Sequence, residues 1–252
     1  ELDIYLYSPV EAEERQRLVA ELAAQPRPAG AAPHPLLETR PVQRAGLILI
    51  TPDRGLCGAL PANIIRRAAE FLLDAPEPVQ IVTVGRKGQD FMVRHRRPIA
   101  ATFTGLGDRP SYLDVVPIAR VAIDSYTNRE VDAVYVVYPR FYSTLSQRPE
   151  LVQLLPVVPS QRTERSLEYI YEPDPQSILA QLLPRYVEVQ VYQAVLETIA
   201  SEHSARMVAM RNATDNANEL VSTLTLTYNK ARQAAITKEI TEIATAAEAI
   251  GG

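Results

Sequence analysis

The sequence predicts an α/β protein in which a mainly parallel-sheet, Rossmann-like domain precedes a very long C-terminal helix. Short apolar runs alternate with helix-like segments through the first two-thirds of the chain, as in a parallel sheet flanked by helices. All 20 prolines lie at or before Pro184, and no glycine occurs between Gly107 and Gly251. The composition, 46% hydrophobic and 22% charged over 252 residues, is typical of a globular chain with a sizeable core.

The N-terminal segment contains one candidate helix, Val10 to Gln25, followed by a connector rich in proline and alanine. We therefore divide the chain into an N-terminal helix and connector over 1–35, an α/β domain over 36–175 and a long helix over 176–252. The chain begins with Glu1 in place of methionine, so we expect an upstream segment to be missing.

The α/β domain is predicted from runs of strand and helix composition. Near-continuous apolar runs, typical of strands buried on both faces, are Ala45 to Thr51, Val79 to Gly85, Ile99 to Phe103 and Ala133 to Tyr138. Possible edge strands are Leu151 to Val157 and Leu167 to Tyr171. The segments between them that have helical periodicity are Ala62 to Leu73, Lys87 to Arg94 and Leu113 to Thr127.

The last quarter of the chain is expected to form one helix. The segment Arg185 to Ile250 has 66 residues without glycine or proline, equivalent to about 100 Å of helix. Its apolar positions step alternately by four and three, the spacing of a coiled coil. We call them the seam: Met210, Thr214, Ala217, Val221, Leu224, Tyr228, Ala231 and Ala235, then, one position later, Ile236, Ile240, Ile243, Ala247 and Ile250. Since several hold only Ala or Thr, the seam needs a partner to be stable.

Charge and composition exclude several classes of protein. A net charge of −4 argues against a broad basic surface for nucleic acid. The single cysteine, Cys57, cannot form an intramolecular disulfide, and no signal peptide is visible, so we expect an intracellular protein. No apolar run approaches the length of a membrane span, so any membrane association is expected to be peripheral.

Candidate sites for small ligands are weak. Two glycine-containing turns follow predicted strands, Asp53 to Gly58 (DRGLCG) and Gly85 to Gly88 (GRKG), but neither has the spacing of a phosphate-binding motif. We interpret these glycines as residues that permit tight turns, and Cys57 as a packed thiol. The three histidines have no metal-ligand spacing, and no carboxylates form a recognisable acid/base pair.

Basic and polar residues suggest contacts with other molecules instead. A local basic cluster fits either a solvated surface or contact with a polar membrane face or an acidic protein loop. Its members are Arg86, Lys87, Arg94, Arg96 and Arg97. Polar side chains also bracket the seam, and each would need a partner if other subunits enclosed the helix.

The C-terminal segment resembles the gamma subunit of F-type ATP synthases. The resemblance is strongest over Ala200 to Ile250, which follows the C-terminal signature of that family. Further matches are DRGLCG followed by Asn63, VGRKG from Val84, DAVYVVYPRFYSTLSQ from Asp132 and LLP from Leu154. Together they extend over about residues 36 to 251.

The resemblance implies an architecture and a function. In this family the long C-terminal helix winds around an N-terminal helix as an antiparallel coiled-coil shaft, the central rotor stalk. The stalk turns inside a ring of alpha and beta subunits, and its globular domain stands on the c-ring beside epsilon. It couples proton-driven rotation to ATP synthesis or hydrolysis in the beta subunits, has no catalytic, metal or cofactor site, and binds no nucleic acid.

The same resemblance implies contact residues and a location. By match to the family's C-terminal motif, the residues expected to contact the beta subunit are Arg206, Arg232, Gln233, Thr237 and Glu242. Location would be peripheral on the cytoplasmic face of a bacterial membrane, held through the c-ring; an organelle inner membrane or a thylakoid is the alternative. Only Val10 to Gln25 could form the N-terminal shaft helix, so we expect that helix to be largely missing.

Two other functions are compatible with the pattern of residues. An α/β nucleotide-binding enzyme with a helical oligomerisation tail would bind ATP or NAD as an isolated chain. A self-associating coiled-coil scaffold would form homodimers by itself. A rotor subunit is expected to do neither and to co-purify with alpha and beta chains.

Overall fold

The computed structural model describes residues 34–158 and 175–251. The predicted helix Val10 to Gln25 and the predicted strand Leu167 to Tyr171 lie outside the described residues. The strands are β1 (Ala45–Ile50), β2 (Val79–Val84), β3 (Ile99–Phe103), β4 (Ala133–Ser143) and β5 (Ser146–Leu155). The helices are a short 3-10 turn at Pro35–Leu37, α1 (Leu60–Asp74), α2 (Arg86–Arg94), α3 (Tyr112–Thr127) and α4 (Pro175–Gly251).

The five strands form one mixed sheet in the order β3-β2-β1-β4-β5. Strands β1 to β4 run parallel, and β5 returns antiparallel to β4 through a hairpin. All six residues of β1 are buried, because β1 is central and helices cover both faces of the sheet. The predicted mainly parallel α/β fold is therefore confirmed.

Two apolar layers fill the space between the sheet and its helices. On one face, β1, β2 and β4 pack against α3 and the N-terminal part of α4, around residues such as Ile118 and Val187. On the other face they pack against α1 and α2, around Ile64 and Met92. Each fully buried side chain of this kind contributes about 1.5–3 kcal/mol.

The long helix α4 has 77 residues, and the contacts within the chain divide at Arg206, inside this helix. Before that point, its buried residues recur every four positions: Leu179, Leu183, Val187, Val191 and Val195. This spacing directs one stripe of α4 onto the sheet domain. The predicted boundaries 1–35, 36–175 and 176–252 remain predictions.

The structure extends some predicted elements. Helix α4 begins at Pro175 and includes Pro184, which the sequence pattern treats as a breaker. Strand β4 continues five residues past the predicted end at Tyr138, because β5 pairs with it along the hairpin as far as Ser143. The long C-terminal helix itself is confirmed.

Candidate partner-contact surface

The C-terminal part of α4 presents its seam uncovered. From Met210 to Ala246 every side chain is exposed, including the apolar ones. Val221, Leu224 and Ile240 keep 63%, 58% and 61% of their accessible surface. Apolar side chains recurring at coiled-coil spacing and left in water are the mark of a surface that another polypeptide covers.

Two of the predicted contact residues flank this seam. Successive residues of a helix are rotated by about 100°, so Arg232 and Gln233 point in directions about 100° apart, with Ile236 between them. Both polar side chains are exposed. A chain docking on Ile236 would therefore meet a guanidinium on one side and an amide on the other, both suited to carboxylate and carbonyl acceptors.

The two remaining residues of this part, Thr237 and Glu242, are also exposed. The Thr237 carbonyl accepts a hydrogen bond from Thr241 Oγ1 at 2.8 Å. Glu242 Oε1 lies 3.7 Å from Lys238 Nζ, and their side chains are 67% and 78% exposed. Such an exposed pair contributes little energy, so Glu242 can exchange Lys238 for another partner at small cost.

Arg206 has a different environment from the other predicted contact residues. Its Nη2 donates to Glu202 Oε1 at 2.5 Å and to the carbonyl of Gly55 at 3.4 Å. The Arg206 and Glu202 side chains are only 23% and 12% exposed. Arg206 therefore fastens α4 to the loop after β1 within the α/β unit.

Further polar residues that the sequence pattern did not single out also fasten α4 to the domain. Glu197 Oε2 accepts from the backbone N–H of Phe141 at 3.1 Å, and Ser201 Oγ donates to the carbonyl of Pro139 at 3.2 Å. Glu188 accepts a hydrogen bond from the Tyr112 hydroxyl. The sequence signal for these residues was that each is a polar residue within an apolar stripe. Their hydrogen-bond partners could not be predicted, because the partners lie far away in sequence.

The strand-end turn at Gly85 leaves no free donors for a phosphate. In the first turn of α2 every backbone N–H group donates to an acceptor within the chain. The N–H of Arg86 donates to Asp53 Oδ1 at 2.9 Å, and that of Gly88 donates to Thr51 Oγ1 at 2.9 Å. The N–H groups of Lys87 and Gln89 donate to the carbonyls of Pro52 and Gly85 at 3.3 and 3.4 Å. These are the donors that bind phosphate at helix N-termini elsewhere. Their occupation disfavours the nucleotide-binding alternative.

The interpretation of the glycine at this turn as a conformational requirement is confirmed. Gly85 has φ of 91°, and a Cβ there would lie 1.9 Å from the carbonyl oxygen of Thr51. The glycine is needed because the chain crosses the end of β1 at this point.

Cys57 is a packed thiol, as expected. It is 1% exposed, and its Sγ lies 3.7 Å from the carbonyl of Arg54. Burial, reinforced by the Glu202 carboxylate, raises the pKa of Cys57 and keeps it protonated. The thiol is therefore a poor nucleophile.

The described part of the chain contains no cluster of His, Cys, Asp and Glu side chains suited to a metal ion. Nor does it contain a helix both long enough and apolar enough to cross a membrane.

The α/β domain and the exposed seam define a subunit that acts through contact with other chains. A family model described as ATP synthase matches residues 10–250. The ATP synthase gamma chain of Dehalococcoides mccartyi is 53% identical over 234 residues, which cover 92% of this chain and 82% of the relative. The chain belongs to the ATP synthase gamma chain family. The predicted family is thereby confirmed, together with the expectation of a non-catalytic subunit.

Solved structures share the fold at lower identity. A chain in the Tetrahymena thermophila mitochondrial ATP synthase structure of the central stalk and c-ring has a TM-score of 0.57 and 22% identity, with 81% of this chain and 99% of that chain covered. A chain in the Euglena gracilis mitochondrial structure of OSCP, F1 and c-ring has a TM-score of 0.63 and 20% identity, with 96% and 86% covered. These likenesses confirm the combination of an α/β domain with a long helix.

Proposed function

We propose that this gamma chain is the central rotor stalk of an F-type ATP synthase and couples rotation of the membrane c-ring to conformational change in the catalytic beta subunits. The observation that carries the proposal is the uncovered seam of α4, which the second shaft helix implied by the family resemblance and the surrounding subunits would cover together. The α/β domain holds the other end of the same helix through buried contacts and Arg206.

The asymmetry of the helix supplies the mechanism. Over Met210 to Ala235 the seam repeats in one register, and the run from Ile236 repeats the same steps one position later, so the two runs face different sides of the helix. Subunits placed around this helix meet different side chains at the same height. A rotating shaft therefore stabilises a different conformation in each beta subunit in turn, because coupling requires contacts that differ between states.

The partners follow from this role. The proposed partners are the alpha and beta subunits around the seam, and epsilon and the c-ring beside the α/β domain. The solved structures with the same fold come from preparations of the stalk with the c-ring and of F1 with the c-ring, and the relative at 53% identity is bacterial. We accordingly infer a peripheral position on the cytoplasmic face of a bacterial membrane, held through the c-ring.

The proposed contacts with the beta subunit centre on Arg232 and Gln233, with Thr237 and Glu242 next to them. Support comes from their exposure and from their position on both sides of Ile236. Arg206 is proposed as a contact at the base of this surface, where its hydrogen bond to Gly55 holds it beside the α/β domain.

The test is ATP turnover by the assembled complex carrying Arg232→Ala with Gln233→Ala. We expect turnover to fall about tenfold, since a charged hydrogen bond contributes about 1.5–3 kcal/mol. Thr227→Ala with Lys230→Ala is the control, because both residues are exposed and point away from Ile236. The circular dichroism of each isolated variant should equal that of the wild type.

Two results would contradict the proposal. Equal turnover by the wild type and the Arg232/Gln233 variant would remove the assigned contacts. Stoichiometric binding of ATP or NAD to the isolated chain would favour the nucleotide-binding alternative, which the occupied donors of α2 oppose.

A further inference from the structure

The C-terminal turn of α2 carries a compact group of cations that the proposed rotor contacts do not use. Every residue from Val93 to Pro98 is exposed. Three of the six are arginines: Arg94, Arg96 and Arg97. We call this segment, 93–98, the basic turn.

The backbone of the basic turn is held in a fixed conformation. The N–H groups of His95, Arg96 and Arg97 donate to the carbonyls of Phe91, Val93 and Met92 at 3.1, 3.0 and 3.0 Å. The His95 ring lies on the Phe91 ring with centroids 4.0 Å apart. The arginines are thus presented from a rigid base, which lowers the entropy cost of binding.

Arg96 occupies a position that favours glycine. Its φ is 53°, the left-handed conformation that ends many helices and is normally filled by Gly or Asn. An arginine here is strained relative to glycine. The Arg96 side chain is exposed, so packing within the domain does not explain why arginine occupies this position in place of glycine.

The three arginines are also unpaired within the described part of the chain. Ion pairs there engage other arginines, such as Arg54 with Asp108 and Arg140 with Glu150. Arginines that lie over tyrosine rings are again different ones, Arg40, Arg140, Arg148 and Arg185. Attraction to the negative end of the α2 dipole accounts for a cation in the last turn, but not for a run of arginines beyond it.

We infer that the basic turn is a docking surface for an acidic protein segment carried by another subunit. The inference rests on the proposed function, which identifies the complex that contains this other subunit. Guanidinium groups bind carboxylates in bidentate fashion. Arg86 and Lys87 lie at the other end of α2, so the basic turn presents three arginines, fewer than the four to eight basic residues typical of lipid-binding clusters. The net charge of −4 disfavours nucleic acid.

The first test measures binding of a fluorescent oligoglutamate peptide to the full chain by anisotropy at low salt. The variant combines Arg94→Gln, Arg96→Gly and Arg97→Gln, and glycine at position 96 relieves the strained backbone, so the fold should be kept. The control combines Arg66→Gln, Arg109→Gln and Arg120→Gln, which removes the same charge from exposed, dispersed positions. We expect affinity to fall at least about tenfold in the first variant and to stay within about twofold in the control.

Three outcomes of this test would overturn the inference. The wild type could fail to bind oligoglutamate, or both triple variants could lose affinity equally, which would indicate net charge alone. Vesicles of phosphatidylglycerol could bind more tightly than the peptide and lose binding in the Arg94/Arg96/Arg97 variant, which would assign the surface to lipid.

The second test locates the partner in the assembled complex. Val93 is 59% exposed and carries no charge, so Val93→p-benzoylphenylalanine places a photo-crosslinker in the basic turn without altering it. Leu73, 76% exposed at the end of α1, receives the same substitution as a control. We expect a cross-linked peptide rich in Asp and Glu from position 93 only.

The outcomes of the second test separate the two proposals. A complex that assembles but gives no acidic cross-linked peptide at position 93 would overturn the docking surface. A chain that does not co-purify with alpha and beta subunits would overturn the proposed function, while the oligoglutamate result would still decide the basic turn.

Discussion

At the scale of single residues, one carboxylate joins the start of the domain to the segment before β4. Asp132 Oδ2 accepts from the backbone N–H groups of Gln43 and Arg44 at 2.9 and 3.2 Å, and its Oδ1 lies 3.8 Å from Arg40 Nε. The Gln43 N–H, with smaller effects from Arg44 and Arg40, lowers the pKa of Asp132. The folded state thus favours the ionised form.

The pH dependence of stability follows from this direction. A carboxylate with a lowered folded-state pKa stabilises the fold above its unfolded pKa of about 3.9, and the stabilisation is lost as the pH falls through the folded-state value. We expect Asp132→Asn to be less stable than the wild type at neutral pH and to lose less stability on acidification. Urea unfolding at pH values on both sides of about 4 checks this.

Asp90→Asn, on the exposed surface of α2, is the control. Parallel stability curves for the Asp132 variant and the wild type would contradict the assignment.

At the scale of elements, the same kind of apolar pattern in α4 is buried against the domain in one part of the helix and exposed in the other. Leu183 is fully buried against the domain, whereas Leu220 is 59% exposed. We expect Leu183→Ala to lower the free energy of unfolding by about 2–5 kcal/mol and Leu220→Ala to change it by about 0.5 kcal/mol or less. Urea titration of the isolated chain, followed by tyrosine fluorescence, measures both. Equal losses would mean that Leu220 is also buried within the chain.

Some features of these elements could be predicted from the sequence, and others could not. Strand positions such as Ala45–Ile50 were predictable because continuous apolar runs mark strands buried on both faces. The sequence could not predict which part of α4 is covered by its own domain. Leu183 and Leu224 lie in similar apolar stripes, and only tertiary contacts distinguish them. Arg206 illustrates the same point: its match to the family motif gave no sign that Glu202 and Gly55 of the same chain accept its hydrogen bonds, and its contact with the beta subunit stays a prediction.

At the scale of the whole molecule, we propose that the seam is enclosed when the complex assembles. Cys57 makes this measurable, because the only cysteine is buried and its raised pKa suppresses background reaction. A cysteine introduced by Leu224→Cys would be labelled selectively in the seam, and Leu113→Cys, at a residue 76% exposed in the α/β domain, is the control.

The decisive measurement is the rate of maleimide labelling of Leu224→Cys in the isolated chain and in the assembled complex. We predict rapid labelling of the isolated chain and a rate at least about tenfold lower in the complex, with the Leu113→Cys rate unchanged. Equal rates at position 224 in both states would contradict an enclosed shaft.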